Sequence, residues 1–182
     1  CLVNPRACHE TELQYAPVQN KKKIAVIGSG PAGLSFSTVA AGRGHEVTLF
    51  EQSDIIGGQL NLANQIPGKE EFNETIRYYK KQLKLCGVRV HLKLKATTKR
   101  LLQGKFDEVV LAAGVLPRKP DIEGIDHPAV LNYVDVLLHK KEVGQQAAII
   151  GAGGIGFDVA QFITHPARSS SLDREAFLEE WG

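Results

Sequence analysis

Lys23-Ile24-Ala25-Val26-Ile27-Gly28-Ser29-Gly30-Pro31-Ala32-Gly33 decides the fold. A short apolar run of strand character leads straight into glycines spaced G-x-G-x-x-G, and the small-residue stretch from Leu34 to Gly42 continues as a helix. In such a turn the first glycine permits the tight reversal, the second lets a pyrophosphate approach the backbone, and the third lets helix and strand pack closely. The helix N-terminus turns its unpaired N–H groups toward the phosphates. Glu46 to Phe50 reads as the next strand, giving a β-α-β unit with a right-handed crossover. Glu51 ends that strand 18 residues after Gly33, close to the spacing of about 20 at which an acidic side chain meets ribose hydroxyls. Gly28, Gly30, Pro31, Ala32, Gly33 and Glu51 are therefore a candidate dinucleotide site. The alternative is a glycine turn that only packs a helix on a sheet, with Glu51 a surface carboxylate. The flanking strand, the helix and the position of Glu51 weigh against it.

The spacing recurs in Gly151-Ala152-Gly153-Gly154-Ile155-Gly156. Ala147 to Ile150 reads as the strand before it and Ile155 to Thr164 as the helix after it. Two such motifs in one chain point to a protein that passes electrons between two dinucleotides, with Gly151, Gly153, Gly154 and Gly156 at an NAD(P)H site. The side chain that selects NAD or NADP belongs at the end of the following strand. No such strand is legible before Gly182, and Arg168 and Arg174 lie in a polar, helix-like segment, so the choice stays open.

The remaining signals are weaker. Glu70 to Cys86 places Phe72, Ile76, Tyr79 and Leu83 at helical spacing, with Gly87 as the residue that ends the helix. Val88 to Leu94 alternates like a half-exposed strand, and Glu108 to Ala112 reads as a buried one. Gln52 to Gly68 reads as loop, and Tyr133 to His139 as a short helix. The fold class expected is α/β: residues 1–22 a connecting arm, 23–116 a Rossmann-like domain, 117–145 a crossover, and 146–182 the opening β-α unit of a second domain.

Composition narrows the function. The chain has 182 residues, 43% of them hydrophobic and 23% charged, as in ordinary globular proteins. A net charge of +2 argues against a dedicated nucleic-acid or membrane-surface protein, and Lys21-Lys22-Lys23 reads as a solvated lead-in. No apolar run reaches the roughly 20 residues that span a bilayer. The first residues have neither a basic n-region nor an apolar h-region, so a cytoplasmic location is expected. Three cysteines do not make a disulfide framework. The six histidines show no metal spacing, and no Ser/His/Asp or Cys/His set presents itself. With no methionine, the chain reads as a piece of a longer polypeptide.

Resemblance sharpens the cofactor. Glu51-Gln52-Ser53-Asp54-Ile55-Ile56-Gly57-Gly58-Gln59 resembles the acidic residue, spacer and glycine pair of FAD-binding flavoproteins. Phe106-Asp107-Glu108-Val109-Val110-Leu111-Ala112-Ala113-Gly114 resembles the strand at which such proteins pass the cofactor and cross to the NAD(P) domain. On this resemblance the first site takes FAD, and Gln52, Gly58, Gln59, Ala112, Ala113 and Gly114 join it.

A closer match is carried by Cys1-Leu2-Val3-Asn4-Pro5-Arg6-Ala7-Cys8, Gln65-Ile66-Pro67-Gly68-Lys69-Glu70-Glu71-Phe72, Gly124-Ile125-Asp126-His127-Pro128 and Gly151 to Asp158. These resemble the bacterial NADPH-dependent 2,4-dienoyl-CoA reductases over essentially the whole chain. The wider family includes trimethylamine dehydrogenase and NADH oxidases, and joins an FMN-bearing barrel of the Old Yellow Enzyme type to a 4Fe-4S cluster and a two-dinucleotide module. The resemblance implies electron flow from NADPH to FAD, through the cluster to FMN, and on to a dienoyl-CoA of unsaturated fatty acid β-oxidation. It places the acyl-CoA site in a barrel ahead of Cys1, makes Cys1 the last cluster ligand of the parent, and sets Lys69 near FAD. Cys86 reads as a core residue. The fragment alone is then expected to hold FAD weakly and to lack catalysis. Two other readings stand beside this one: the same module in an oxidase, enoate reductase or amine dehydrogenase, and a Rossmann module that only binds.

Overall fold

The computed structural model describes residues 6–165 and 169–182, which form two units. The first comprises the described part of Cys1–Leu60 together with Asn73–Gly114, and the second comprises Asn61–Phe72 with the described part of Val115–Gly182. Residues 61–72, which the sequence reading keeps within 23–116, thus fall with the second unit.

The first unit is built on a parallel sheet in the order β3-β2-β1-β4. Its strands are β1 (Lys23–Ile27), β2 (Glu46–Phe50), β3 (Arg89–His91) and β4 (Glu108–Leu111). The expected strand at Val88 to Leu94 is thus only three residues long. β1 is central and pairs Ile27 with Phe50 on one side and with Leu111 on the other. Because side chains alternate along a strand, Ile24 and Val26 share a face with their partners Val47 and Leu49, and all four are buried.

Helix α1 (Pro31–Gly42) contributes Leu34 and Ala40 to that core, and α3 (Phe72–Leu85) contributes Tyr79 and Leu83. Burial of each large apolar side chain stabilises the unit by about 1.5–3 kcal/mol, so this cluster dominates its stability. Gly87 adopts φ +70° where α3 ends, and Val88 N–H returns to the Leu83 carbonyl at 2.9 Å. This is the left-handed helix stop expected from the sequence. Cys86 packs against the core. Ahead of β1, the arm is tied to the end of α1: Val18 N–H donates to the Arg43 carbonyl at 2.9 Å, and Arg43 Nε to the Ala16 carbonyl at 3.0 Å.

Two helices escape the sequence reading. The stretch read as loop contains α2 (Leu60–Ala63), and α4 (Thr98–Gly104) sits between β3 and β4. Thr97 caps α4 by accepting from Arg100 N–H, but no residue of that helix is buried, so it carries no apolar periodicity.

The second unit is helical: α5 (Tyr133–Leu137), α6 (Gly154–Thr164), a short 3-10 turn (Ser170–Leu172) and α7 (Arg174–Trp181). Among the described residues its buried apolar side chains are Ile66, Val136 and Leu137. Ala147 to Ile150 does not form the expected strand. A strand needs a neighbour to take its N–H and C=O groups, and the described residues of this unit hold no other strand. Ile150 is accordingly 74% exposed, whereas Val26 in the first unit is fully buried. None of the described helices is long and apolar enough to cross a membrane.

Candidate functional site

The first glycine turn is held by contacts from two sides. Gly28 has φ +99°, and a Cβ on it would stand 2.3 Å from the Ala112 carbonyl oxygen. A Cβ on Gly33 would stand 1.9 Å from the Gly28 carbonyl oxygen. The Ala112 N–H donates to the Ile27 carbonyl at 2.8 Å, so Ala112 and Ala113 lie against the turn. From the other side, Gly57 N–H donates to the Ser29 carbonyl at 2.9 Å, and a Cβ on Gly58 would meet Gly30 Cα at 2.8 Å. The structure therefore brings together three of the sequence elements singled out: Gly28–Gly33, Gly57-Gly58 and Ala112-Ala113. The paired glycines are small because they press on the turn itself.

Gly30 is different. Its φ is −70°, which any residue adopts, and a Cβ there would meet nothing within 4 Å. Neither conformation nor internal packing calls for glycine. Beside it, α1 starts with no side-chain cap, although its first-turn N–H groups need acceptors.

Glu51 is buried at the end of β2. Its Oε2 accepts from Ser29 N–H at 2.8 Å and Ser29 Oγ at 2.7 Å, and its Oε1 accepts from Ser53 N–H and Ser53 Oγ, both at 2.9 Å. Burial opposes its charge, but the hydrogen bonds from Ser53 and Ser29 outweigh burial and hold its pKa below the usual carboxylate value. Glu51 was a candidate from its place in the sequence, whereas the two serines that hold it were not. The available signal was a hydroxyl two residues from the carboxylate, a spacing that favours local side-chain-to-backbone bonding. Gln52, Gly58 and Gln59 are exposed near this loop, as are Pro31, Ala32, Ala113 and Gly114.

The second turn repeats the first in miniature. Gly151 has φ +114°, a Cβ on Gly156 would stand 2.2 Å from the Gly151 carbonyl oxygen, and Gly153 has extended φ with nothing within 4 Å of a Cβ. Gly154 likewise has open space around it. Helix α6 also starts without a side-chain cap. By contrast α4, α5 and α7 are capped by Thr97, Asn132 and Asp173.

Lys69, in the second unit, is brought to Asp158 of α6, with Nζ 2.6 Å from Oδ1. Around this pair Gln161 Nε2 donates to the Pro67 carbonyl at 3.1 Å, Lys140 Nζ to Gln65 Oε1 at 2.7 Å, and Ser171 Oγ to Glu70 Oε2 at 2.8 Å. Cys1 and Arg168 lie outside the described residues. Arg174 opens α7.

A parallel sheet with a glycine turn at the carboxyl end of its central strand, and an acidic side chain on the next strand, defines a Rossmann-like dinucleotide-binding fold. The chain belongs to the pyridine nucleotide-disulphide oxidoreductase family, whose model matches residues 22–174. It is 40% identical over 179 residues to a metal reductase of Desulforamulus reducens, covering 96% of this chain and 26% of that protein. It is 34% identical over 172 residues to a cinnamate reductase of Clostridium sporogenes, covering 94% of this chain and 26% of that protein. A solved structure of 2-naphthoyl-CoA reductase with 2-naphthoyl-CoA superimposes with a TM-score of 0.84 at 39% identity, over 90% of this chain and 25% of that one. The chain thus spans about a quarter of the length of these relatives. The fold is of the FAD- and NAD(P)-binding flavoprotein type, and these relatives are reductases.

Proposed function

We propose that the first glycine turn holds the ADP half of FAD and the second holds NADPH, so that the chain is the electron-transfer module of a larger flavoenzyme. One observation carries this reading. Gly30 and Gly153 are glycines with no internal reason to be so, and each stands at the start of an uncapped helix. A phosphate arriving from outside accounts for both facts, since it needs the Cβ space and supplies the missing acceptor. Glu51, already charged and fixed, then faces the adenosine ribose. Gln52, Gly58, Gln59, Ala112, Ala113 and Gly114 line the remainder of the FAD site, and Gly151, Gly154 and Gly156 shape the NADPH turn. When bound, FAD supplies pairwise electron exchange with a nicotinamide and single-electron exchange with a metal cluster.

For the parent we propose reduction of 2,4-dienoyl-CoA, with electrons leaving FAD through a 4Fe-4S cluster that includes Cys1 and reaching FMN in a cytoplasmic enzyme. The sequence resemblance supports this, as do relatives named for a CoA thioester and for cinnamate, a conjugated acid. The 40% identity to a metal reductase favours a second reading, in which the module is the same and the final acceptor differs. Anaerobic addition of NADPH or NADH to the FAD-loaded chain tests the module. Bleaching of the flavin band, faster with NADPH, supports the proposal. A flavin that neither nucleotide bleaches in the full-length protein refutes it.

A further inference from the structure

Glu51 is more fully engaged than a ribose-binding carboxylate should be. A carboxylate offers about four lone-pair sites, and Ser29 and Ser53 fill all of them with two backbone N–H and two hydroxyl donors. A ribose hydroxyl therefore enters only by replacing a donor already there. The two N–H groups are fixed by the backbone, which leaves the two hydroxyls.

The hydroxyls are not equivalent. Ser29 is fully buried, and among the described residues no second acceptor accompanies its Oγ. Displacing it would strand a buried donor, a costly outcome. Ser53 is exposed, and its Oγ lies 2.9 Å from Glu51 Oε1 and 2.8 Å from the Ile55 carbonyl oxygen. A serine hydroxyl has one hydrogen, so it serves these two acceptors one at a time.

The geometry points to Ser53 as a hydrogen-bond relay: its hydroxyl turns from Glu51 to the Ile55 carbonyl when a ribose hydroxyl takes its place on Oε1. Oε2, clamped by Ser29, keeps the carboxylate in position throughout. The exchange is balanced, because every donor has an acceptor before and after. Ser53 is thus a positioning residue that keeps Oε1 satisfied in the empty site and releases it to a nucleotide with a free ribose hydroxyl. This inference rests on the reading of Gly28–Gly33 and Glu51 as a nucleotide site.

Calorimetric titration with ADP, 2′-deoxy-ADP and 3′-deoxy-ADP tests it on the wild-type chain and on Ser53→Ala, Ser53→Thr and Glu51→Gln. In the wild type, loss of the responsible ribose hydroxyl weakens binding only about threefold, because the Ser53 hydroxyl returns to Oε1. In Ser53→Ala nothing returns, and the same loss rises to about tenfold or more, the scale of a hydrogen bond to a charged group. Ser53→Ala binds ADP at least as well as the wild type, and Ser53→Thr restores the wild-type ratio. A Ser53→Ala chain that loses ADP as Glu51→Gln does, or that shows an unchanged deoxy ratio, overturns the relay while leaving the site reading intact. A wild-type chain that does not bind ADP overturns both.

Discussion

The two glycine turns share a backbone and differ in everything around it. Both place a left-handed glycine first, both bring the third glycine against the carbonyl of the first, and both open an uncapped helix. The first is embedded between paired strands, pressed by Ala112 and Gly57-Gly58, and joined to a buried acidic residue. The second stands beside an unpaired, exposed segment. The turn is thus written in its own residues, whereas the site around it depends on strands far away in sequence.

Filling the packed glycines should separate the two turns most strongly. Gly33→Ala drives a Cβ into the Gly28 carbonyl inside a rigid unit, and should destabilise the chain by about 3 kcal/mol or more, read as a fall in the urea midpoint. Gly156→Ala makes the same local clash beside a segment that is exposed and outside any sheet, and should cost under about 1 kcal/mol. Equal costs would mean that the second turn is as firmly embedded as the first.

Next comes Gly30→Ala, which meets no protein atom. It should leave the urea midpoint within about 1 kcal/mol while weakening FAD or ADP binding about a hundredfold, near 3 kcal/mol, because its methyl group occupies the path of the pyrophosphate. Unchanged affinity would remove the main support for the nucleotide reading.

Glu51→Gln presents an amide NH2 to a ring of donors, and should cost about 1–3 kcal/mol of stability. Its pH signature has a definite sign. The folded pKa of Glu51 lies below its unfolded value, so the contribution is fully present above the unfolded value and lost as pH falls through the folded pKa. Urea midpoints measured downward from pH 6 should drop in the wild type, and Glu51→Gln should lack that part of the drop.

The smallest effect belongs to the second unit. Asp158→Asn breaks a pair whose side chains are 41% and 27% exposed, and should shift stability by no more than about 1 kcal/mol. A larger loss in a melting curve would show that the segment from Asn61 to Phe72 depends on that pair.

Elements with a strong local cause were legible in the sequence: β1 and α1 from the glycine spacing, α3 from its apolar period and its terminal Gly87, and Glu51 from its position after β2. The residues that make Glu51 what it is were not. Ser29 and Ser53 look like ordinary turn serines until folding brings the carboxylate between them. Helix α4 escaped because it buries nothing, and Lys69 met Asp158 across 89 positions of chain. Ala147 to Ile150 failed in the other direction, since it has strand composition but strand pairing is not a local property.

The proposed function requires the two turns to serve two different dinucleotides. Backbone amide spectra of the isotope-labelled chain, titrated separately with FAD and NADPH, test it most directly. FAD should shift the amides of Ser29, Ala32, Gly33 and Leu34 together with Glu51 and Ser53, and NADPH should shift those of Gly151 to Gly156. FAD shifts confined to the second turn, or no response at the first, would contradict it.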